Sequence, residues 1–222
     1  MTGVMTGFVF DPPARPSLPV VGRAERFAVR RILCVGRNYA DHAREMGGDP
    51  QREPPFFFSK PADALVSDGR NPAWPSATAD LHHEVELVCA LGPGGTIAGW
   101  AVGVDLTRRD LQAAAKAKGR PWDAAKGFDD SAPCGALTLA AKLPAPAGAI
   151  SLAVNGTTRQ AARLSDMIWS PPEVVARAAQ LWRLAAGDLI FTGTPAGVGP
   201  LVRGDRVEAR CEGLSPLDFE VI

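Results

Sequence analysis

Glu84, Glu86 and Asp105 are the residues whose types and spacing most directly suggest chemistry. In the run Asp80-Leu81-His82-His83-Glu84-Val85-Glu86-Leu87, a strand sends residues two apart to one face and sets the two glutamates about 7 Å apart at Cα. Carboxylates that close repel unless something cationic lies between them. An exposed acidic strand facing water or an arginine would satisfy the pair too. The continuation Val88-Cys89-Ala90-Leu91 is apolar on both faces, which places this end of the strand indoors, where paired carboxylates need a metal or a shared proton. Asp105 follows the strand Trp100 to Val104, and on its own it reads as a turn or helix cap. As the antiparallel neighbour of the glutamate strand it would meet Glu84 and Glu86, completing three hard oxygen donors suited to Mg²⁺ or Mn²⁺ rather than zinc.

All three histidines fall in two motifs, His42 in one and His82-His83 in the other. In Gly36-Arg37-Asn38-Tyr39-Ala40-Asp41-His42-Ala43-Arg44-Glu45-Met46, a helix puts His42 and Glu45 three apart on one face. There the carboxylate can orient and polarise the imidazole as a general base. An exposed pair at that spacing is the plainer alternative. Gly47-Gly48 and the polar residues 49–55 suggest a segment that orders over a substrate. The chain has only five lysines among 24 basic residues. Two of them, Lys60 in Phe57-Phe58-Ser59-Lys60-Pro61 and Lys126 in Trp122-Asp123-Ala124-Ala125-Lys126-Gly127, stand beside aromatic motifs. Each is either a solvated loop cation or a binder of an anionic oxo-acid. Thr192-Gly193-Thr194-Pro195-Ala196-Gly197-Val198-Gly199 has neither the P-loop lysine nor the dinucleotide glycine spacing, although its backbone N–H groups could hold a carboxylate.

These residues need strands to deliver them. Ile32 to Val35 reads as a short buried strand, with a helical stretch Tyr39 to Met46 behind it. Phe56-Phe57-Phe58 begins another strand. Glu84 to Leu91, the turn Gly92-Pro93-Gly94-Gly95 and Thr96 to Val104 make a hairpin. Thr107 and Asp110 read as a capping box opening a helix to about Ala117. Ile150 to Val154 before Asn155-Gly156 is a second hairpin signal. Ser170-Pro171-Pro172-Glu173 is a second capping box, opening the longest helix, expected to run to Gly187 with Val174, Ala178, Leu181, Trp182 and Ala185 on its packed face. Leu189 to Thr192 and Arg206 to Glu212 are further strands. Residues 1–31 read as an extended, proline-rich lead-in, and 32–222 as a single catalytic domain.

Composition narrows the field. With 24 basic and 24 acidic residues the formal charge is zero, so nothing invites a nucleic acid or an anionic membrane. Glycine and proline, 23 and 20 of 222 residues, favour many short strands over a helical bundle. Cys34, Cys89, Cys134 and Cys211 are widely separated in apolar or small-residue surroundings and read as reduced core thiols of a cytoplasmic protein. Met1 to Pro13 lacks the pattern of a signal peptide, and no apolar run is long enough for a membrane span.

Taken together, C-V-G-R-N-Y-A-D-H-A-R-E-M, F-F-F-S-K-P, H-H-E-V-E-L, G-V-D-L-T-R-R-D-L-Q, P-W-D-A-A-K-G-F-D, V-N-G and F-T-G-T-P-A-G-V-G-P resemble the fumarylacetoacetate hydrolase family over nearly the whole chain from Ile32. The chain is most similar to its short acylpyruvate hydrolases, those acting on fumarylpyruvate among them. The resemblance implies an α+β fold with a mixed β-roll or β-sandwich core and flanking helices, usually as a homodimer. It implies a divalent metal, Mg²⁺ or Mn²⁺, held by Glu84, Glu86 and Asp105, with His42 and Glu45 as the water-activating dyad. It also implies Lys126 facing a developing oxyanion, with Lys60, Arg109, Gln112, Gly193 and Thr194 in substrate-contacting positions. The expected reaction is hydrolysis of a carbon–carbon bond in a 2,4-dioxo acid, the rival being decarboxylation of oxaloacetate, or isomerisation or decarboxylation of a diacid, in the same metal site.

Overall fold

The computed structural model describes residues 7–41 and 53–222. Its centre is a six-stranded mixed sheet in the spatial order Thr138–Leu139, Ile97–Val104, Val85–Leu91, Asp188–Phe191, Arg31–Gly36, Phe56–Lys60. Asp188–Phe191 runs parallel to Arg31–Gly36 and antiparallel to Val85–Leu91. Because both faces of this sheet are covered, its inner strands are apolar without alternation. Leu33, Val35, Leu87, Cys89, Val102 and Ile190 point to one core. Ile32, Cys34, Val88, Ala90, Ala101 and Phe191 point to the other.

The first core is closed by an antiparallel four-stranded sheet, ordered Thr157–Arg163, Ala149–Val154, Arg206–Cys211, Leu217–Glu220, through Ile150, Leu152, Val207, Ala209 and Phe219. The second is closed in part by the lead-in, where Ser17–Pro19 pairs with Arg26–Ala28 and buries Leu18. The segment read as an extended lead-in thus contains a short hairpin, because the apolar Leu18, Val20 and Val29 have a sheet face to cover. With the helices Arg109–Ala117, Asp123–Lys126 and Pro171–Leu181 on the flanks, the architecture is the expected α+β sandwich. None of the helices among the described residues is long and apolar enough to cross a membrane. All four cysteines are buried and unbridged.

The hairpin Val85–Leu91/Ile97–Val104 forms as read, around a tight turn at Pro93–Gly95. So does the one turning at Asn155, which takes φ 51°. Ser170 and Glu173 close their capping box, with the Ser170 N–H donating to Glu173 Oε2 at 2.9 Å. That helix stops at Leu181, short of the expected Gly187. Trp182 swings into extended backbone and packs edge-on against Phe57 at 5.5 Å, and Leu181 is left 63% exposed. The other capping box does not form. Thr107 is drawn into strand pairing with His82, so its hydroxyl donates to the Asp105 carbonyl while Asp110 accepts from Thr78 Oγ1 at 2.7 Å.

Candidate active site

The first hairpin does not end with the main sheet. Its two arms continue into a small three-stranded sheet, Gly199–Leu201, Leu81–His83 and Thr107–Arg108. Each arm leaves strand geometry where it crosses between the sheets: Glu84 on one, Asp105 and Leu106 on the other. The Asp105 N–H donates to the Glu84 carbonyl at 2.8 Å, locking the crossings side by side. Glu84 therefore does not share a continuous strand with Glu86, as the sequence suggested. The crossing nonetheless turns its carboxylate into the same cluster, and ligand atoms of Glu84, Glu86 and Asp105 all lie within 4.8 Å of one another.

Three carboxylates in a buried cluster demand countercharge. Lys126, at the end of the Asp123–Lys126 helix, donates to Glu84 Oε2 at 2.8 Å, Asp105 Oδ2 at 2.7 Å and Thr107 Oγ1 at 2.7 Å. Arg109 hydrogen-bonds Glu84 Oε1 through Nη2, and Gln112 Oε1 through Nη1 at 2.6 Å. Burial alone would lower the Lys126 pKa, yet Asp105 and Glu84 outweigh it and hold the ammonium above its ordinary value. Among the described residues Glu86 touches no cation; its Oε2 accepts the Gly193 N–H at 2.6 Å. Burial first, then Asp105 and Glu84, push its carboxyl well above the usual carboxylate range. Gly193 has φ +97°, and a Cβ there would stand 2.7 Å from Asn38 Cβ, so glycine is what lets the loop approach.

Asp105 Oδ1 is fully buried, with the Lys60 ammonium 2.8 Å away, and makes no hydrogen bond among the described residues. Three buried carboxylates converging within 4.8 Å, one oxygen of which makes no hydrogen bond among the described residues, fit a hard divalent cation by both charge and donor type. Glu84, Glu86, Arg109, Gln112, Lys126 and Thr194 line one cleft, whose further walls are Arg37, Phe56, Phe58, Lys116 and Trp122. Phe56 and Trp122 meet edge to face at 4.9 Å, and the Lys116 ammonium lies 5.0 Å from the Trp122 ring centre.

Two residues expected against substrate have other work. Lys60 is 1% exposed. Its register opposite Ile32 turns it inward, beneath Asp105, where it donates to the Leu106 carbonyl at 3.1 Å and to that of Lys126. The Gly193 N–H does hold a carboxylate, that of Glu86. His42 and Glu45, together with the rest of the helical stretch to Met46 and the glycine pair, lie outside the described residues. The segment leading to them is anchored by Asn38, whose Nδ2 donates to the Trp169 carbonyl at 2.8 Å and the Thr192 carbonyl at 2.7 Å, while its Oδ1 accepts the Trp169 N–H at 2.8 Å.

Sequence reading missed Thr107, hidden by its resemblance to a helix cap, and the aromatic wall at Trp122, which reads only as part of the motif around Lys126. It also missed Gln160, a lone polar residue in a strand with no motif around it.

The profile described as fumarylacetoacetate (FAA) hydrolase C-terminal matches residues 31–222. The crystal structure of fumarylpyruvate hydrolase from Pseudomonas aeruginosa in complex with Mn²⁺ and pyruvate is 47% identical and superposes with a TM-score of 0.94, covering 97% of this chain and 99% of that one. Fumarylpyruvate hydrolase of a Ralstonia species is 39% identical over 183 residues, 78% of this chain and 95% of the relative. The mitochondrial oxaloacetate tautomerase FAHD1 of Mus musculus is 41% identical over 203 residues, 86% of this chain and 91% of the relative. With its profile match, its fold and a buried acidic triad of which Glu84 and Glu86 line the cleft, the chain belongs to the fumarylacetoacetate hydrolase family.

Proposed function

We propose that the chain is a divalent-metal-dependent hydrolase of 2,4-dioxo acids, acting on an acylpyruvate of the fumarylpyruvate type. The observation that carries this reading is the pairing of a buried three-carboxylate cluster with Lys126 on the floor of one cleft. Glu84, Glu86 and Asp105 would hold Mg²⁺ or Mn²⁺, which supplies Lewis-acid polarisation and charge neutralisation for an oxo-acid end. His42, oriented by Glu45, takes a proton from the water that attacks the C4 carbonyl. Lys126 meets the alkoxide formed there, and Arg109, Gln112 and Thr194 orient the acid. The C3–C4 bond then breaks: the acyl half leaves as a carboxylic acid, fumarate in the leading case, and the pyruvate half departs as its enolate and takes a proton at C3.

A dianionic substrate suits the cleft's outer wall. Burial, then the charges of Arg109 and Arg37, keep the Lys116 pKa below its ordinary value, and a second carboxylate on the acyl group would relieve that field. The fumarylpyruvate hydrolases among the relatives support the same substrate class. The tautomerase relative supports a second reading, oxaloacetate chemistry in the same site, which needs no attacking water. A homodimer and a cytoplasmic location are part of the proposal, the former to be checked by light scattering.

The deciding experiment incubates the protein with fumarylpyruvate, acetylpyruvate and oxaloacetate, each with Mg²⁺ and with chelator. Metal-dependent release of pyruvate and fumarate from fumarylpyruvate is expected. Turnover confined to oxaloacetate would overturn the hydrolase reading.

A further inference from the structure

Gln160 has no solvent exposure and is the single buried residue of the otherwise open strand Thr157–Arg163. A β-bulge aims it inward. Opposite Ala149–Val154 the pairing passes from Leu152↔Gln160 to Ala153↔Thr158, leaving Arg159 as the extra residue, and bulges of this kind redirect a side chain. The Thr192–Gly199 segment packs on that bulge so closely that a Cβ at Gly197, which has φ +91°, would lie 2.2 Å from the Arg159 carbonyl oxygen.

The orientation of the amide follows from its partners. The Pro195 carbonyl can only accept, so the group 2.9 Å from it is Nε2, which also donates to Thr194 Oγ1 at 2.8 Å. Oε1 therefore points the other way, accepting the Val85 N–H at 3.0 Å and His83 Nδ1–H at 2.9 Å. Val85 lies between Glu84 and Glu86. Thr194 follows Gly193, whose N–H holds Glu86, and Thr194 itself lines the cleft. One side chain thus joins the segment bearing two of the carboxylates to the loop that fixes the second of them, with all four of its hydrogen bonds made.

We propose that Gln160 is a positioning residue for the acidic site, setting the spacing between the Glu84–Glu86 segment and the Gly193–Thr194 loop. The proposal rests on the reading that the triad binds a divalent cation. It is tested on the full chain, stripped of metal, by calorimetric titration with Mn²⁺, by melting curves in chelator and by kcat and KM. Gln160→Glu keeps the shape and the acceptor side but loses the donors to Thr194 and Pro195. It is expected to weaken Mn²⁺ binding by about 10–100-fold, as outer-shell changes do, and to lower kcat more than KM. Thr194→Val removes one of the same hydrogen bonds. The double variant should bind Mn²⁺ no more weakly than Gln160→Glu alone, because both act through one link. If Gln160→Glu fails to fold, Thr194→Val is judged alone by its Mn²⁺ affinity. A Gln160→Glu protein that melts earlier yet keeps wild-type Mn²⁺ affinity and kcat overturns the proposal, as does unchanged affinity in a Thr194→Val judged alone. Failure of the wild-type chain to bind Mn²⁺ overturns the metal reading itself, and this inference with it.

Discussion

The Lys60 ammonium lies 2.8 Å from Asp105 Oδ1, and neither side chain has any exposure. The pair is an ion pair and not a hydrogen bond, so the ammonium offsets the carboxylate's charge. Removing Lys60 takes away one of the two buried cations held against Asp105, the other being Lys126 at 2.7 Å from Oδ2, and a buried charge left wholly uncompensated would cost about 3–5 kcal/mol as an upper bound. Lys60→Met should therefore lower the melting temperature sharply, whereas its effect on KM should be small because the ammonium sits below the floor of the cleft. Lys126→Met, by contrast, should lower both stability and kcat. A Lys60→Met protein with wild-type stability and a raised KM would return Lys60 to the substrate side.

Glu86 repels its neighbours most when no cation is present. Glu86→Gln keeps an oxygen for the Gly193 N–H and removes a like charge, so in chelator the variant should melt at or above the wild-type temperature. A ligand at 100 times its Kd stabilises by about 2.7 kcal/mol, and this gain should be absent from the variant when Mn²⁺ is added. Melting curves with chelator and with Mn²⁺ give the answer. An Mn²⁺-induced shift equal to wild type would remove Glu86 from the ligand set.

How much of this was legible in the chain depends on distance along it. Glu84, Glu86 and Asp105 belong to one hairpin, whose turn and apolar arms are local signals, so their meeting could be argued from 22 residues of sequence. The Ser170–Glu173 box was equally local. Lys60 was not, because only its register opposite Ile32 turns it inward. Gln160 depends on a bulge, and a one-residue offset in pairing leaves no mark in composition. Thr107 shows two local rules in competition: the same hydroxyl that suits a helix cap serves a strand end when Lys126 and the Asp105 carbonyl are nearer.

His42→Ala tests the proposed base. A positioned general base contributes about 10²–10⁴ in rate, so acylpyruvate cleavage should fall by that factor while any oxaloacetate reaction, needing no attacking water, falls less. Glu84→Gln should lose both. Rates on both substrates at saturating Mg²⁺ make the comparison, and unchanged acylpyruvate hydrolysis in His42→Ala would assign the base elsewhere.

Asp188 makes stability depend on pH. Burial acts to raise its pKa, but hydrogen bonds from Arg30, the Ala185 N–H and Arg31 prevail, leaving it below the ordinary value. A carboxyl whose folded pKa is depressed stabilises the fold above its unfolded value, and that contribution disappears as pH falls through the folded one. Asp188→Asn should thus lower stability at neutral pH and lose less than wild type between about pH 4 and pH 2. Melting temperatures across that range check it, and parallel curves for the two proteins would exclude Asp188 as a source of the acid sensitivity.

The parallel strand Asp188–Phe191 fills the slot between Val85–Leu91 and Arg31–Gly36. During synthesis both neighbours leave the ribosome long before it does. At about 5–20 residues per second, the stretch from Leu91, where the second neighbour is complete, to Asp188 takes roughly 5–20 s. For that time a nascent chain carries two apolar strand edges facing an empty slot, each open to pairing with another chain. The same wedge that places Gly193 against Glu86 in the finished protein thus makes its birth the period of greatest exposure to aggregation.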